Sequence, residues 1–72
     1  MIDKPFIEEV YEAIKSFGDK GTYTTEAAKK MKREHKEVKS AIASLMEEGR
    51  IEDLGKHGIN GIFVERFYRV KK

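Results

Sequence analysis

The start of the chain has the apolar spacing of an amphipathic helix. The apolar positions that follow the i, i+3/i+4 and i+7 pattern are Phe6, Ile7, Val10, Ile14 and Phe17. Asp3 can cap the start of this helix, and Pro5 fits its first turn, where a missing N–H costs nothing. Gly18 follows the last apolar position, as a left-handed carboxy-terminal cap does. The pattern therefore predicts a helix over residues 4–17.

A second helix is predicted over residues 25–32, directly after a short β-prone stretch at residues 22–24. Thr24 or Thr25 provides the cap at its start, because a threonine hydroxyl accepts from a free backbone N–H there. The apolar residues that we expect to face inward are Ala27, Ala28 and Met31.

A third helix is predicted over residues 34–48, and Gly49 ends it. At about 100° per residue, its apolar positions fall on one face. These positions are Val38, Ala41, Ile42, Leu45 and Met46. The opposite face has small and charged residues, among them Lys36, Ser40, Ala43 and Glu47.

The remainder of the chain predicts a β-hairpin. Residues 50–54 form one strand, residues 55–61 form a glycine-rich loop, and residues 62–70 form a longer strand rich in β-branched and aromatic residues. The stretch at residues 22–24 can add a third strand. We therefore predict an α+β domain: a three-helix bundle with a two- to three-stranded antiparallel β-wing, which is the winged helix-turn-helix architecture.

Two stretches of the chain resemble the winged-helix superfamily. They are TTEAAKKM at residues 24–31 and KEVKSAIASLMEEGRI at residues 36–51, and the resemblance extends over roughly residues 6–70. It implies a DNA-binding domain that inserts its third helix in the major groove, with the wing on the DNA backbone.

The Lys36-Glu37-Val38 segment is similar to the start of the recognition helix in Z-DNA-binding winged helices. Where those domains use an asparagine and a tyrosine, this chain has Lys39 and Ala43, and its wing has no proline. Z-DNA specificity is therefore not part of the expectation.

Composition excludes several classes of protein. The chain has 72 residues and no cysteine, which fits one domain over residues 1–72 without disulfides or thiolate metal sites. Its longest apolar runs are three residues, and no secretory leader is recognisable, so we expect a cytoplasmic, nucleoid-associated protein, or a nuclear one if the source is eukaryotic. Two histidines without neighbouring ligands predict no metal or other cofactor, and we expect neither an enzyme nor a small-molecule substrate.

Positive charge is concentrated in two segments, although the net charge is only +2. Residues 19–33 have five bases and two acids, and residues 50–72 have six bases and three acids. Residues 1–18 and 34–49 are each acidic on balance. Because Lys and Arg gain affinity for nucleic acid by releasing counterions, this distribution favours a duplex-facing surface.

We therefore predict a small double-stranded-DNA-binding protein that acts as a transcriptional regulator. The predicted contact residues are Thr25, Lys32, Arg33, His35, Lys36, Lys39, Ser40, Lys56 and His57. The small side chains on the outer face of the third helix favour close approach to the groove. The residues that could read base edges are His35, Lys36, Lys39 and Ser40. None of these four offers the bidentate base contacts of Arg, Asn or Gln, so we expect modest base specificity.

Two alternatives stay open. The charges are also typical of the solvated Lys/Glu surface of a stable small domain. The acids of the third helix, together with apolar side chains in the hairpin, also fit a winged helix that binds protein within a larger assembly. Ile59, Phe63 and Phe67 are the candidates for such a contact, and Phe63 and Phe67 share one face of the last strand. That face is either covered within the hairpin or forms a homodimer contact.

Overall fold

The computed structural model describes residues 4–59, 61 and 63–71. Asp3, the predicted cap of the first helix, lies outside that set, as do position 60 of the predicted loop and position 62 at the start of the predicted last strand. The helices are α1 (Lys4–Lys15), α2 (Thr24–Met31) and α3 (His35–Glu47), with a short 3-10 turn at Gly18–Lys20. The strands are β1 (Thr22–Tyr23), β2 (Ile51–Ile59) and β3 (Phe63–Val70), in the spatial order β1-β3-β2. Both strand pairs are antiparallel. The predicted α+β class, with three helices, a hairpin and a short third strand, is confirmed.

α1 ends at Lys15, two residues before the predicted boundary at residue 17. It ends there because the Ser16 hydroxyl occupies the carbonyl that the next backbone N–H of the helix would use. Ser16 Oγ donates to Ala13 O at 2.6 Å, and the Phe17 N–H donates instead to Ile14 O at 3.1 Å. The chain then enters the 3-10 turn at Gly18, whose φ of +74° is the left-handed conformation expected there.

The start of α2 corrects the predicted cap, since neither Thr24 nor Thr25 provides it. The N-cap residue is Tyr23, which is extended and makes no side-chain hydrogen bond to the helix. The Thr22 hydroxyl instead donates to Glu26 Oε1 at 2.6 Å. This bond holds an acidic side chain in the first turn of α2, where the helix dipole favours negative charge.

A single hydrophobic core joins the three helices to the sheet. Its buried members are Phe6, Val10, Ile14, Ala27, Ala28, Val38, Ala41, Ile42, Leu45 and Ile51. Met31, Tyr68 and Val70 pack against it. The predicted inward positions are confirmed with two exceptions: Met46 is 37% exposed, and Phe17 is half-buried but is not part of this core. Met46 lies at the margin of the apolar face of α3, about 80° from Val38, so its side chain is at the edge of the buried surface near the end of the helix.

The hairpin corrects the loop that the glycines at residues 55–61 predict. β2 runs on through Gly55 to Ile59. The register shifts between Asp53 and Gly55, which leaves Leu54 as the extra residue of a β-bulge. Gly55 has a φ of +86°, and its N–H donates to Asp53 Oδ1 at 2.7 Å. A glycine that resembles loop sequence therefore serves a bulge inside a strand.

The two faces of the sheet have different surroundings. Residues paired directly across strands share a face. Ile51 pairs with Val70, and both lie on the face towards the helical core. Tyr23 pairs with Phe67, one position along from the core-facing residues, so these two rings lie on the face away from the core.

Arg50 ties the start of the hairpin to two helices. Its guanidinium makes a two-point contact with Glu8 of α1, pairs with Glu48 at 3.6 Å, and lies 4.2 Å from the Tyr11 ring centroid. The hydrogen bond from Arg50 lowers the pKa of Glu8, and the same bond raises the pKa of Arg50. These contacts connect α1 and the end of α3 to β2.

Candidate functional site

The turn between α2 and α3 is closed by two backbone hydrogen bonds. The Arg33 N–H donates to Ala28 O at 3.0 Å, and the Lys32 N–H donates to Lys29 O at 3.2 Å, which is a Schellman motif. The motif needs one left-handed residue, and here it is Lys32, with φ 57° and ψ 44°. Among the described residues, Lys32 is the only one other than glycine with positive φ.

The end of α3 also has a Schellman motif, and its left-handed residue is a glycine, the usual residue type there. The Arg50 N–H donates to Leu45 O at 3.1 Å, and the Gly49 N–H donates to Met46 O at 3.0 Å. Gly49 has a φ of +70°. Glycine adopts this conformation freely, whereas it costs another residue about 1–2 kcal/mol. Backbone strain of this kind often occurs at functional positions. The left-handed conformation of Lys32 at the end of α2 therefore suggests that this lysine has a functional role.

α3 presents an exposed face beside this turn. Lys36, Ser40 and Ala43 are exposed on the side opposite the buried residues, and Lys39 is exposed at the edge of that side. His35 is exposed at the start of the helix. In the part of the chain that the structure describes, none of the predicted lysines of the turn and helix makes an ion pair. Their charge is therefore available to an external anion.

Arg33 and Thr25 lie in different surroundings from these lysines. The Arg33 guanidinium lies 4.5 Å from the Phe6 ring centroid, and its Nη2 is 3.4 Å from Glu37 Oε2. Part of the Arg33 charge is thus taken up by Glu37, the acid that interrupts the basic sequence at the start of α3. Thr25 is half-buried in the first turn of α2.

Lys56 and His57 are neighbours in β2, so they lie on opposite faces of the hairpin and not together in a loop. Lys56 is exposed and pairs in register with Arg66. Arg66 Nη1 donates to Asp53 Oδ2 at 2.6 Å. The Gly55 N–H and then Arg66 hold the pKa of Asp53 below its usual value. Arg66 is thus already paired, and among the described residues of this face Lys56 is a cation without an ion pair.

Phe67 is the centre of an aromatic cluster on the opposite face. Its ring centroid is 5.1 Å from that of Tyr23, at an interplanar angle of 51°, and 5.5 Å from that of His57, at 89°. His57 Nε2 lies 3.0 Å from Leu54 O, a hydrogen bond that orients the imidazole. Tyr23 and Phe67 are half-buried, whereas His57 is exposed.

A groove of about 530 Å³ lies against this cluster. Its lining residues are Phe17, Lys20, Gly21, Tyr23, Glu26, Gly58, Ile59 and Phe67. Of the three predicted partner contacts, Ile59 and Phe67 are half-buried in this groove. Phe63 begins β3, and its side chain is outside the described residues. Sequence reasoning did not assign Phe17 and Tyr23 to this groove. Phe17 was expected on the apolar face of the first helix, and Tyr23 contacts Phe67 only through the β1–β3 register.

Two further classes of feature are not seen in the described residues. No group of three or more His, Cys, Asp or Glu side chains among them could hold a metal ion. None of the described helices has the length and apolar character needed to cross a membrane. Comparison with protein-family models, curated proteins and solved structures gives no match for this chain.

Proposed function

We propose that this chain is a winged helix-turn-helix domain that binds double-stranded DNA and acts as a transcriptional regulator. α2, the turn and α3 correspond to the helix-turn-helix, and β2 and β3 correspond to the wing. In this proposal α3 enters the major groove, and Lys56 in the wing contacts the neighbouring backbone.

The observation that carries the proposal is the lysine surface at the α2–α3 turn and along α3. Lys32, Lys36 and Lys39 are exposed and without ion pairs among the described residues. Lys32 is also in a conformation that glycine would adopt at less cost. A duplex carries one negative charge per about 1.7 Å of its axis, so three lysines on one surface can meet several phosphates.

Phosphate contacts are expected to dominate over base readout. A lysine ammonium acts as a point charge, which suits a phosphate better than a base edge. Among the predicted contacts on the exposed face of α3, Ser40 is the residue with a hydroxyl. Ala43 leaves the middle of that face without a long side chain, which allows the helix backbone to come close to the groove. Affinity should therefore depend strongly on salt and only modestly on sequence.

We expect Lys36→Ala and Lys39→Ala each to weaken binding to mixed-sequence duplex and to lower the slope of log affinity against log salt by about 0.9. Each substitution removes one phosphate contact and the counterion that it releases. The measurement is fluorescence anisotropy with labelled duplex between about 50 and 200 mM salt.

Lys15→Ala is the matched control, because Lys15 is exposed at the end of α1, away from the proposed surface. It should leave both affinity and slope near those of the unmodified protein. Binding that is undetectable at about 50 mM salt, or an equal loss in all three variants, would contradict the proposal.

Lys32→Gly should change stability and binding in opposite directions. Glycine relieves the left-handed strain but costs more chain entropy, so we expect a net gain of about 0.5–1 kcal/mol in the free energy of unfolding. Duplex affinity should fall, since a phosphate contact is lost. Urea unfolding and the same anisotropy titration measure the two effects.

Lys32→Asn separates the two causes. Asparagine tolerates the left-handed conformation but has no charge, so this variant should also bind duplex weakly. If Lys32→Gly were less stable than the unmodified protein, or if both variants bound duplex normally, the proposed role of Lys32 would be wrong.

A second candidate function is a protein-binding winged helix. Its support is the exposure of two large apolar side chains: Val64 is 59% exposed on the hairpin and Met46 is 37% exposed at the end of α3. The salt titration distinguishes the two functions. A DNA-binding domain gains affinity for duplex as the salt concentration falls, whereas a protein-binding module would not.

A further inference from the structure

The groove against the aromatic cluster has the features of a site for a flat ring. Phe67 and Tyr23 line it, and their ring planes are tilted by 51°. His57 is outside the lining, and its ring is perpendicular to that of Phe67 at a centroid distance of 5.5 Å. The imidazole is held in this orientation by its contact with Leu54 O at 3.0 Å. The Phe67 ring, which lines the groove, therefore contacts two other rings before any ligand arrives.

The volume of the groove is suited to a small planar ligand. About 530 Å³ falls within the range of about 300–1,000 Å³ that small-molecule sites occupy. Ile59 and Phe17 extend the apolar lining beyond the two tilted rings. Gly58 leaves that part of the β2 side of the groove without a side chain.

Two lysines supply charge complementarity to a phosphate. Lys20 lines the groove. Lys30 lies outside the lining, in a neighbouring cavity with Glu9 and Glu12, and its Nζ is 5.2 Å from the centroid of the Phe17 ring that lines the groove. Neither lysine makes an ion pair with any residue that the structure describes. The acid in the lining is Glu26, and one of its oxygens accepts the Thr22 hydroxyl. Glu65, the acid paired in register with His57, lies on the same face of the hairpin but not in the lining.

We infer that this groove binds an unstacked nucleobase of a single-stranded segment, with Lys20 and Lys30 on the flanking phosphates. Aromatic side chains beside cations are the combination that binds single strands, because every base has a face that can stack. The inference rests on the proposed function for the duplex part of the target. It adds that the preferred target is a duplex with a single-stranded tail.

A protein partner fits this face less well. A protein contact of ordinary size buries about 800 Å² on each partner, whereas this groove is a small concave site whose large apolar side chains are half-buried. The described apolar residues with high exposure, Met46 and Val64, are not in its lining.

The test compares three targets by anisotropy: a blunt duplex, the same duplex with a tail of a few thymidines, and the same duplex with an abasic tail of equal length. The abasic tail keeps the phosphates and removes the bases. We expect the thymidine tail to bind about fivefold or more tightly than the abasic tail, the lower limit for stacking of one base. Phe67→Leu and Tyr23→Leu, which keep apolar bulk and remove a ring, should abolish that difference.

Val64→Ala is the matched control, because Val64 is exposed on the other face of the hairpin. It should keep the preference for the thymidine tail, and circular dichroism checks that each variant is folded. Equal affinity for the thymidine and abasic tails would overturn the inference. A dimer that dissociates in Phe67→Leu, without any tail effect, would also overturn it and make this face a subunit contact. Failure of the proposed function looks different: the blunt duplex would not bind, whatever the tails do.

Discussion

Gly21→Ala is expected to destabilise the fold by about 3 kcal/mol or more, because two costs coincide there. Gly21 is buried, with φ 76° and ψ −171°, a backbone region that is essentially restricted to glycine. A Cβ at this position would overlap the backbone oxygen of Tyr68 and lie 3.0 Å from Leu54 Cδ1. The Leu54 methyl is the end of a flexible side chain and can shift, but the Tyr68 oxygen belongs to the backbone of β3, which is held by its pairing on both sides.

Gly18→Ala is the control that separates the two costs. Gly18 also has a positive φ, +74°, but an added Cβ there meets nothing within 4 Å. We expect it to lose only the conformational part, about 1–2 kcal/mol. Urea unfolding of both variants measures the difference. Equal losses would mean that the close approach to Tyr68 has no energetic effect.

Leu45→Ala is expected to lower the free energy of unfolding by about 2–5 kcal/mol. Leu45 has no exposed surface and lies in the core between the helices and the sheet. Removing its side chain leaves a cavity that the surrounding residues fill only in part. For a domain of this length such a loss is a large part of the total stability, about 0.05–0.15 kcal/mol per residue.

Met46→Ala is the matched control, since Met46 is the next residue of the same helix and is 37% exposed. It should cost less than about 1 kcal/mol in the same urea experiment. A comparable loss in both variants would contradict the orientation of α3 and the single core described above.

The helices could be predicted from the sequence because their core face is periodic. Val38, Ile42 and Leu45 recur on one side of α3, and all three are buried. The ends were less predictable, because they depend on single hydrogen bonds. α1 ends where the Ser16 hydroxyl donates to a backbone carbonyl of the helix. At the start of α2, the Thr22 hydroxyl donates to Glu26, and no threonine caps the helix.

The hairpin shows the limit of reasoning from composition. The three glycines of residues 55–61 predict a loop, but a bulge at Leu54 lets β2 continue to Ile59. Only the pairing with β3 distinguishes a loop from a bulged strand here, and this pairing depends on two segments that are separate in the sequence. Consequently Lys56 and His57, expected side by side in a loop, lie on opposite faces.

The candidate site was predictable in its charges and not in its conformations. The exposure of Lys36, Lys39 and Ser40 follows from the phase of the apolar face of α3. The left-handed conformation of Lys32 has no sequence signal, since glycine or asparagine normally marks it. The contact between Tyr23 and Phe67 likewise arises only when β1 pairs with β3.

The brevity of β1 has a mechanical consequence for the wing. β1 pairs with Phe67 and Tyr68 only, so the hairpin from Phe63 to Arg66 is braced on one side alone. At about 3.3 Å per residue this leaves an arm of about 13 Å, and a tilt of about 10° at its base would swing the tip by about 2 Å. Ile59 is near that tip and lines the groove. A tilt of the arm would therefore change the width of the groove.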